Sequence, residues 1–151
     1  AFHSCSKRSG MTAYRSGFIA GDAAVMKLYA AFRNSLGNLC PPYTAQAAIR
    51  AWNDDKHAEE RRHIFAAKRQ VLLEFFNEIG VKTVKSNAAI YIWAECPNDM
   101  RGTEYMERLI SHGIIVSPGE FFGTHCDHYF RVALVPSKEQ CMEAIQLWRN
   151  L

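Results

Sequence analysis

The sequence predicts a layered α/β fold, and three observations carry that expectation. Apolar residues recur at helical spacing over about 22–36 and again over about 55–80. Beyond Gly80 the pattern shortens to that of strands, at 88–94 and 129–135. Helix-capping residues separate these runs, so helices and strands alternate as in a small α/β unit. The 151 residues suffice for one ordinary core, and 48% hydrophobic with 22% charged residues is the composition of a soluble globular protein.

The elements follow in order. Residues 1–7 read as strand into loop, and 14–20 as a second short strand. Asp22 is placed to accept from the free N–H groups of a first helical turn. Val25, Leu28, Tyr29, Phe32 and Leu36 then form an apolar stripe expected to be core, with Gly37 at the helix end. Asn38-Leu39-Cys40-Pro41-Pro42 is a break, because a proline pair cannot continue a helix, and Thr44 is placed to cap a short helix through Trp52. The long helix that follows has a stripe of Ile64, Ala67, Val71, Phe75 and Ile79, widened by Leu72 and Phe76. Its Glu59, Glu60, Arg61, Arg62, Lys68 and Arg69 read as a solvated face, and His57 and His63 as structural or solvent-facing. Thr103 caps a helix over about 104–112, ended by Gly113, and Ile114-Ile115-Val116 reads as a short strand. Ser137 with Gln140 makes a capping box for the last helix, which turns Cys141, Ala144, Ile145 and Trp148 inward.

Composition narrows the partners. Net charge is +3, and no basic run or basic–aromatic interleaving suggests a nucleic-acid surface. No apolar run approaches the roughly 18 residues of a membrane span, so no membrane association is expected. The five cysteines are odd in number, widely spaced and without a C-x-x-C pair, which reads as reduced thiols in a cytoplasmic protein. His125-Cys126-Asp127-His128 holds residue types that bind zinc, but four adjacent residues rarely converge on one tetrahedron; no metal is expected.

The chemistry concentrates in Ser4-Cys5-Ser6-Lys7-Arg8-Ser9-Gly10-Met11-Thr12-Ala13-Tyr14-Arg15-Ser16-Gly17. A lysine amine can form a Schiff base with a carbonyl. Hydroxyls, backbone N–H groups and an arginine fork are the donors that a phosphate dianion needs. These are the parts for holding an aldehyde that carries a phosphate. In Tyr129-Phe130-Arg131-Val132-Ala133-Leu134-Val135, an arginine stands among apolar neighbours on both faces. Such a residue calls for a carboxylate, either internal or from a ligand, or for an edge position facing water.

The spacing Ser-x-Ser-Lys-x(7)-Arg-x-Gly resembles the cofactor-lysine signature of the fold-type I, pyridoxal-phosphate-dependent class I/II aminotransferases. The longer run through Asp22 is similar to succinyldiaminopimelate aminotransferase-like members. The resemblance implies Lys7 as the Schiff-base lysine and catalytic base, with Ser4 and Arg15 as ligands of the pyridoxal 5′-phosphate phosphate group. "YFRVALV" resembles the family segment whose arginine binds the substrate α-carboxylate, which implies that role for Arg131. Ser117-Pro118-Gly119-Glu120-Phe121-Phe122-Gly123 resembles the loop ahead of that strand, where Phe122 is either a wall of the substrate cleft or core packing. Aspartate aminotransferases place an arginine for a distal carboxylate just ahead of the proline loop. Here 34–40 contains none and Arg33 falls inside the predicted helix, a departure that argues against dicarboxylate recognition by that route.

The resemblance covers essentially the whole chain but only the C-terminal part of the family. It implies three parts: 1–55 as the end of the large cofactor domain, 56–80 as a long linking helix, and 81–151 as the small α/β domain. Amino-acid and keto-acid substrates follow, and the likeness points to glutamate and N-succinyl-diaminopimelate, hence lysine biosynthesis, in a homodimer. The chain opens without a methionine inside a predicted strand and lacks the segments that hold the cofactor ring, so it is expected to be a fragment inactive alone. Two other readings share the residues: a carbon–sulfur lyase of the same fold, and a regulator whose aminotransferase-like domain senses the cofactor.

Overall fold

The structure, a computed structural model, describes residues 1–37 and 39–151. The chain divides into two compact units, Ala1–Arg62 and His63–Leu151.

In the first unit, β1 (Phe2–Ser4) pairs antiparallel with β2 (Gly17–Ile19), aligning Phe2 with Ile19 and Ser4 with Gly17. The two backbones meet closely at Gly17, where a Cβ would lie 2.3 Å from the His3 carbonyl oxygen, so only glycine fits. Between the strands, Lys7 lies on a short helix α1 (Cys5–Arg8), not in the expected loop. The reason is the Ser4 hydroxyl, which accepts from the Ser6 N–H at 3.1 Å and starts the turn. Tyr14 likewise closes a 3-10 turn (Thr12–Tyr14), and the strand begins only at Gly17.

Helix α2 (Ala23–Ser35) starts where Asp22 predicts, its carboxylate accepting from the N–H groups of Ala24 and Val25. Its apolar stripe is not core. Val25 is 56% exposed, Leu28 74% and Phe32 59%, because this unit supplies no layer opposite them. Helix α3 (Pro42–Trp52) begins at Pro42 instead of after Thr44, since a proline at the first helical position gives up an N–H that would have no partner. Thr44 is buried inside that helix, and Asn38 of the expected break lies outside the described residues.

Helix α4 (Lys56–Glu78) begins in the first unit and continues into the second. In the second unit β3 (Tyr91–Glu95), β5 (Tyr129–Ala133) and β4 (Ser117–Pro118) form an antiparallel sheet in that order. The sheet register sets Trp93 opposite Arg131 and Ser117 opposite Arg131 on its other side. Leu72, Phe75 and Phe76 of α4 pack with Ile92, Phe130 and Val132, with Tyr105 and Leu109 of α5 (Gly102–Ile110), and with Ile145 and Trp148 of α6 (Lys138–Trp148). The Trp148 indole N–H donates to the Tyr105 hydroxyl at 2.7 Å inside that core.

Four sequence expectations fail here. Lys68 is buried, not solvated: its ammonium donates to the carbonyls of Leu134 and Val135, while Ile64 and Ile79 of the expected stripe stay exposed. Arg69 is also engaged, donating to the carbonyls of Ala88, Ala89 and Tyr91, and Ala89 itself is left-handed (φ 69°). Thr103 does not cap α5; its N–H and hydroxyl both donate to the Glu120 carboxylate. Residues 114–116 form no strand, although Ile114 and Val116 are buried and Ile115 faces out. The Ser137–Gln140 capping box is present as predicted.

Candidate functional site

The two groups of chemistry-bearing residues stand in different units, and each is described in its own. In the first, Ser4 and Lys7 belong to one turn. Ser4 ends β1 and caps α1, and Lys7 follows three positions later with its side chain exposed. The turn is pinned to the next strand by the Cys5 N–H, which donates to the Ser16 carbonyl at 3.0 Å. The Ser4 hydroxyl lies 3.5 Å from that same carbonyl.

Arg15 adopts a left-handed backbone (φ 48°, ψ 39°) as the residue that ends the 3-10 turn, and its guanidinium donates to the Thr12 carbonyl at 3.0 Å. It lines an open cavity of about 750 Å³ together with Tyr14, Ser16, Arg33, Tyr43 and Thr44. Two arginines among the lining residues give this cavity a positive charge that suits an anion. Among the described residues Lys7 is not part of that lining. Arg33 was legible as a helical residue, but its share in lining the cavity depends on the direction in which α2 ends, which no local pattern encodes.

In the second unit, Arg131 projects from the central strand β5. Its guanidinium carbon lies against two aromatic rings, 4.2 Å from the centre of Tyr91 and 4.4 Å from that of Phe122. One terminal nitrogen donates to the Ser117 hydroxyl at 3.4 Å. The Nε is buried without a hydrogen-bond partner, and among the described residues no carboxylate pairs with this arginine. An unsatisfied guanidinium nitrogen is costly, and aromatic rings this close attract the planar cation. Phe122 packs against both Arg131 and Trp93. Tyr91, read only as part of a strand, was missed; its i, i+2 relation to Trp93 was the available signal.

The His125–His128 segment gathers no metal site. His128 faces Asp99 and Asp127 at 3.6 and 3.8 Å, and among the described residues no three potential ligands converge. Among those residues, no helix is long and apolar enough to cross a membrane.

The profile of the family described as Aminotransferase class I and II matches residues 1–147. The chain belongs to that family. Its members depend on pyridoxal 5′-phosphate. A probable aminotransferase of Mycobacterium tuberculosis is 32% identical over 145 residues, which is 96% of this chain and 34% of that protein. An LL-diaminopimelate aminotransferase of Moorella thermoacetica is 30% identical over 152 residues, 99% of this chain and 39% of that protein. The structure of an aminotransferase from Staphylococcus aureus superposes with a TM-score of 0.89 at 22% identity, over 99% of this chain and 40% of that one. The fold is thus that of fold-type I aminotransferases, and the chain spans less than half the length of these relatives.

Proposed function

We propose that this chain carries the cofactor lysine and the substrate-carboxylate arginine of a pyridoxal-phosphate-dependent aminotransferase. The observation that carries the reading is Lys7, exposed on a turn capped by Ser4, in a chain of this family. The donor set fits the cofactor: a primary amine for an aldehyde, and a hydroxyl and a guanidinium for a phosphate dianion. When bound, the cofactor supplies the aldehyde and a conjugated ring that takes up the electron pair left at the substrate Cα. Ser4 Oγ and Arg15 would donate to its phosphate, and Arg33 adds positive charge to the cavity wall that Arg15 lines.

Lys7 Nζ would link covalently to the cofactor and, once displaced by the substrate amine, accept the Cα proton and return it to the cofactor carbon. Arg131 would hold the substrate α-carboxylate along its free edge. Tyr91 and Phe122, both close against the guanidinium, would restrict its movement. On this reading 1–55 end the cofactor domain, 56–80 link, and 81–151 make the small domain. The substrate class is a diaminopimelate-type amino acid, N-succinyl-diaminopimelate included, with glutamate as donor; the relative named LL-diaminopimelate aminotransferase supports it. The enzyme acts as a homodimer in the cytoplasm, and the 151-residue chain alone does not transaminate.

The test is absorbance between about 330 and 430 nm for the full-length protein with pyridoxal phosphate, wild type against Lys7→Ala. A band that requires Lys7 and shifts when glutamate is added supports transamination. A band indifferent to Lys7 removes the mechanism, and release of pyruvate from a cysteine-type substrate would reassign the protein as a lyase.

A further inference from the structure

Three consecutive residues directly after Lys7 each meet a partner from one short stretch, 51–61. The Arg8 guanidinium donates to the Ala51 carbonyl at 2.5 Å, to the Asp54 carbonyl at 3.2 Å and to the Asp55 carboxylate at 2.5 Å. It also lies 5.0 Å from the centre of the Trp52 ring, and its side chain is only 17% exposed. The Ser9 hydroxyl lies 3.0 Å from His57 Nε2, and His57 Nδ1 lies 3.1 Å from the Asp54 carboxylate. Gly10 runs against Arg61 so closely that a Cβ would sit 3.0 Å from its guanidinium, and its φ of 71° also calls for glycine. His57 and Arg61 are four apart on α4 and share one face of it.

We infer that Arg8, Ser9 and Gly10 form a strap that positions Lys7 by fastening its turn to the end of α3 and the first turns of α4. The inference rests on the reading of Lys7 as the cofactor lysine. A four-residue helix has no stability of its own, because nucleation costs more than one hydrogen bond returns. The Ser4 cap and the Cys5–Ser16 bond hold α1 from one end only. The strap holds it from the other, where Lys7 itself lies. A lysine reaches through a flexible four-carbon stem, so the placement of its nitrogen depends on a fixed backbone. Arg8 suits this work better than a lysine, since its fork serves two carbonyls and a carboxylate at once. The carboxyl of Asp54 is held below its usual range, first by the His57 backbone N–H, and so stays charged opposite the imidazole. These residues touch one another rather than the reacting atoms: they are positioning residues.

The experiment uses the full-length protein with Arg8→Ala, Arg8→Lys, His57→Gln and Gly10→Ala. Two quantities are read: hydrogen exchange of the 6–11 amides in the cofactor-free protein, and the rate at which a borohydride-reducible pyridoxal phosphate adduct forms on the Lys7 peptide. Arg8→Ala should speed exchange of the Ser9 and Met11 amides by about tenfold and slow adduct formation by about tenfold, with Arg8→Lys recovering part of both. Binding of pyridoxamine phosphate, which needs no link to Lys7, should change less than about threefold. If Arg8→Ala does not fold, His57→Gln, which keeps the size of the side chain at a half-buried position, reads the same quantities. Wild-type exchange and adduct rates in Arg8→Ala and His57→Gln overturn the strap while the cofactor-lysine reading stands. A Lys7→Ala protein that still forms the adduct at the wild-type rate, on a lysine elsewhere in the chain, overturns that reading itself.

Discussion

The Arg131 guanidinium carbon lies 4.2 Å from the centre of the Tyr91 ring. The Phe122 ring centre lies 4.4 Å from the same carbon, so two rings crowd the guanidinium. Arg131→Lys keeps the charge but loses the plane and the fork. In the full-length protein it should lower kcat/KM for the amino donor by about 10- to 100-fold, the value of charge-assisted hydrogen bonds lost. Steady-state kinetics with glutamate checks this, and wild-type kinetics would sink the role given to Arg131.

Phe122→Leu should act on the same group without touching the charge. It removes one ring face, worth about 0.5–2 kcal/mol to a desolvated cation, and lets water onto the guanidinium. A rise in KM of a few-fold with kcat within about twofold is expected, since uniform substrate binding is what weakens. Equal loss in both constants would place Phe122 elsewhere in the chemistry.

Stability of the second unit should depend on the bond between Trp148 and Tyr105. Tyr105→Phe keeps the ring but leaves a buried indole N–H without its acceptor, costing about 1–3 kcal/mol. Chemical denaturation with tryptophan fluorescence would register it as a lower midpoint at unchanged slope. An unchanged midpoint would mean that water replaces the hydroxyl.

Cys96 offers a pH test. Burial first, and then the Glu120 carboxylate, push its thiol up to about 12 from an ordinary value near 9.0. Between those values the folded protein keeps a proton that the unfolded chain has released. Its contribution to stability is therefore complete below pH about 9 and is lost as pH rises toward 12. Stability measured across mildly alkaline pH should fall less steeply in Cys96→Ala than in wild type. In the folded protein a disulfide reagent should label exposed Cys40 well ahead of Cys96.

Local signals in the sequence were reliable where the partner is a few residues away. Asp22 and the Ser137–Gln140 pair cap helices as read, because each needs only the N–H groups of its own first turn. Thr103 was misread because the group it serves, Glu120, lies 17 residues on. Lys68 and Arg69 were assigned to water by their charge alone, yet both satisfy carbonyls of the strand region that α4 packs beside. Of the site, the residue types of Ser4, Lys7, Arg15 and Arg131 could be read off the pattern. The aromatic slot around Arg131 could not, since Tyr91 and Phe122 come together only once β3 and the 119–122 turn flank β5. Arg8 carries no local signal of its role, because its partners lie 43 to 47 residues away.

The wet face of α2 has a calorimetric consequence. The heat-capacity rise on unfolding comes mainly from apolar surface newly met by water. Val25, Leu28, Phe32 and Leu36 already meet water in the folded chain, so melting the first unit hydrates little more of them. Its thermogram should show a shallow step between folded and unfolded baselines, while melting of the second unit, with its aromatic interior, should show a steep one.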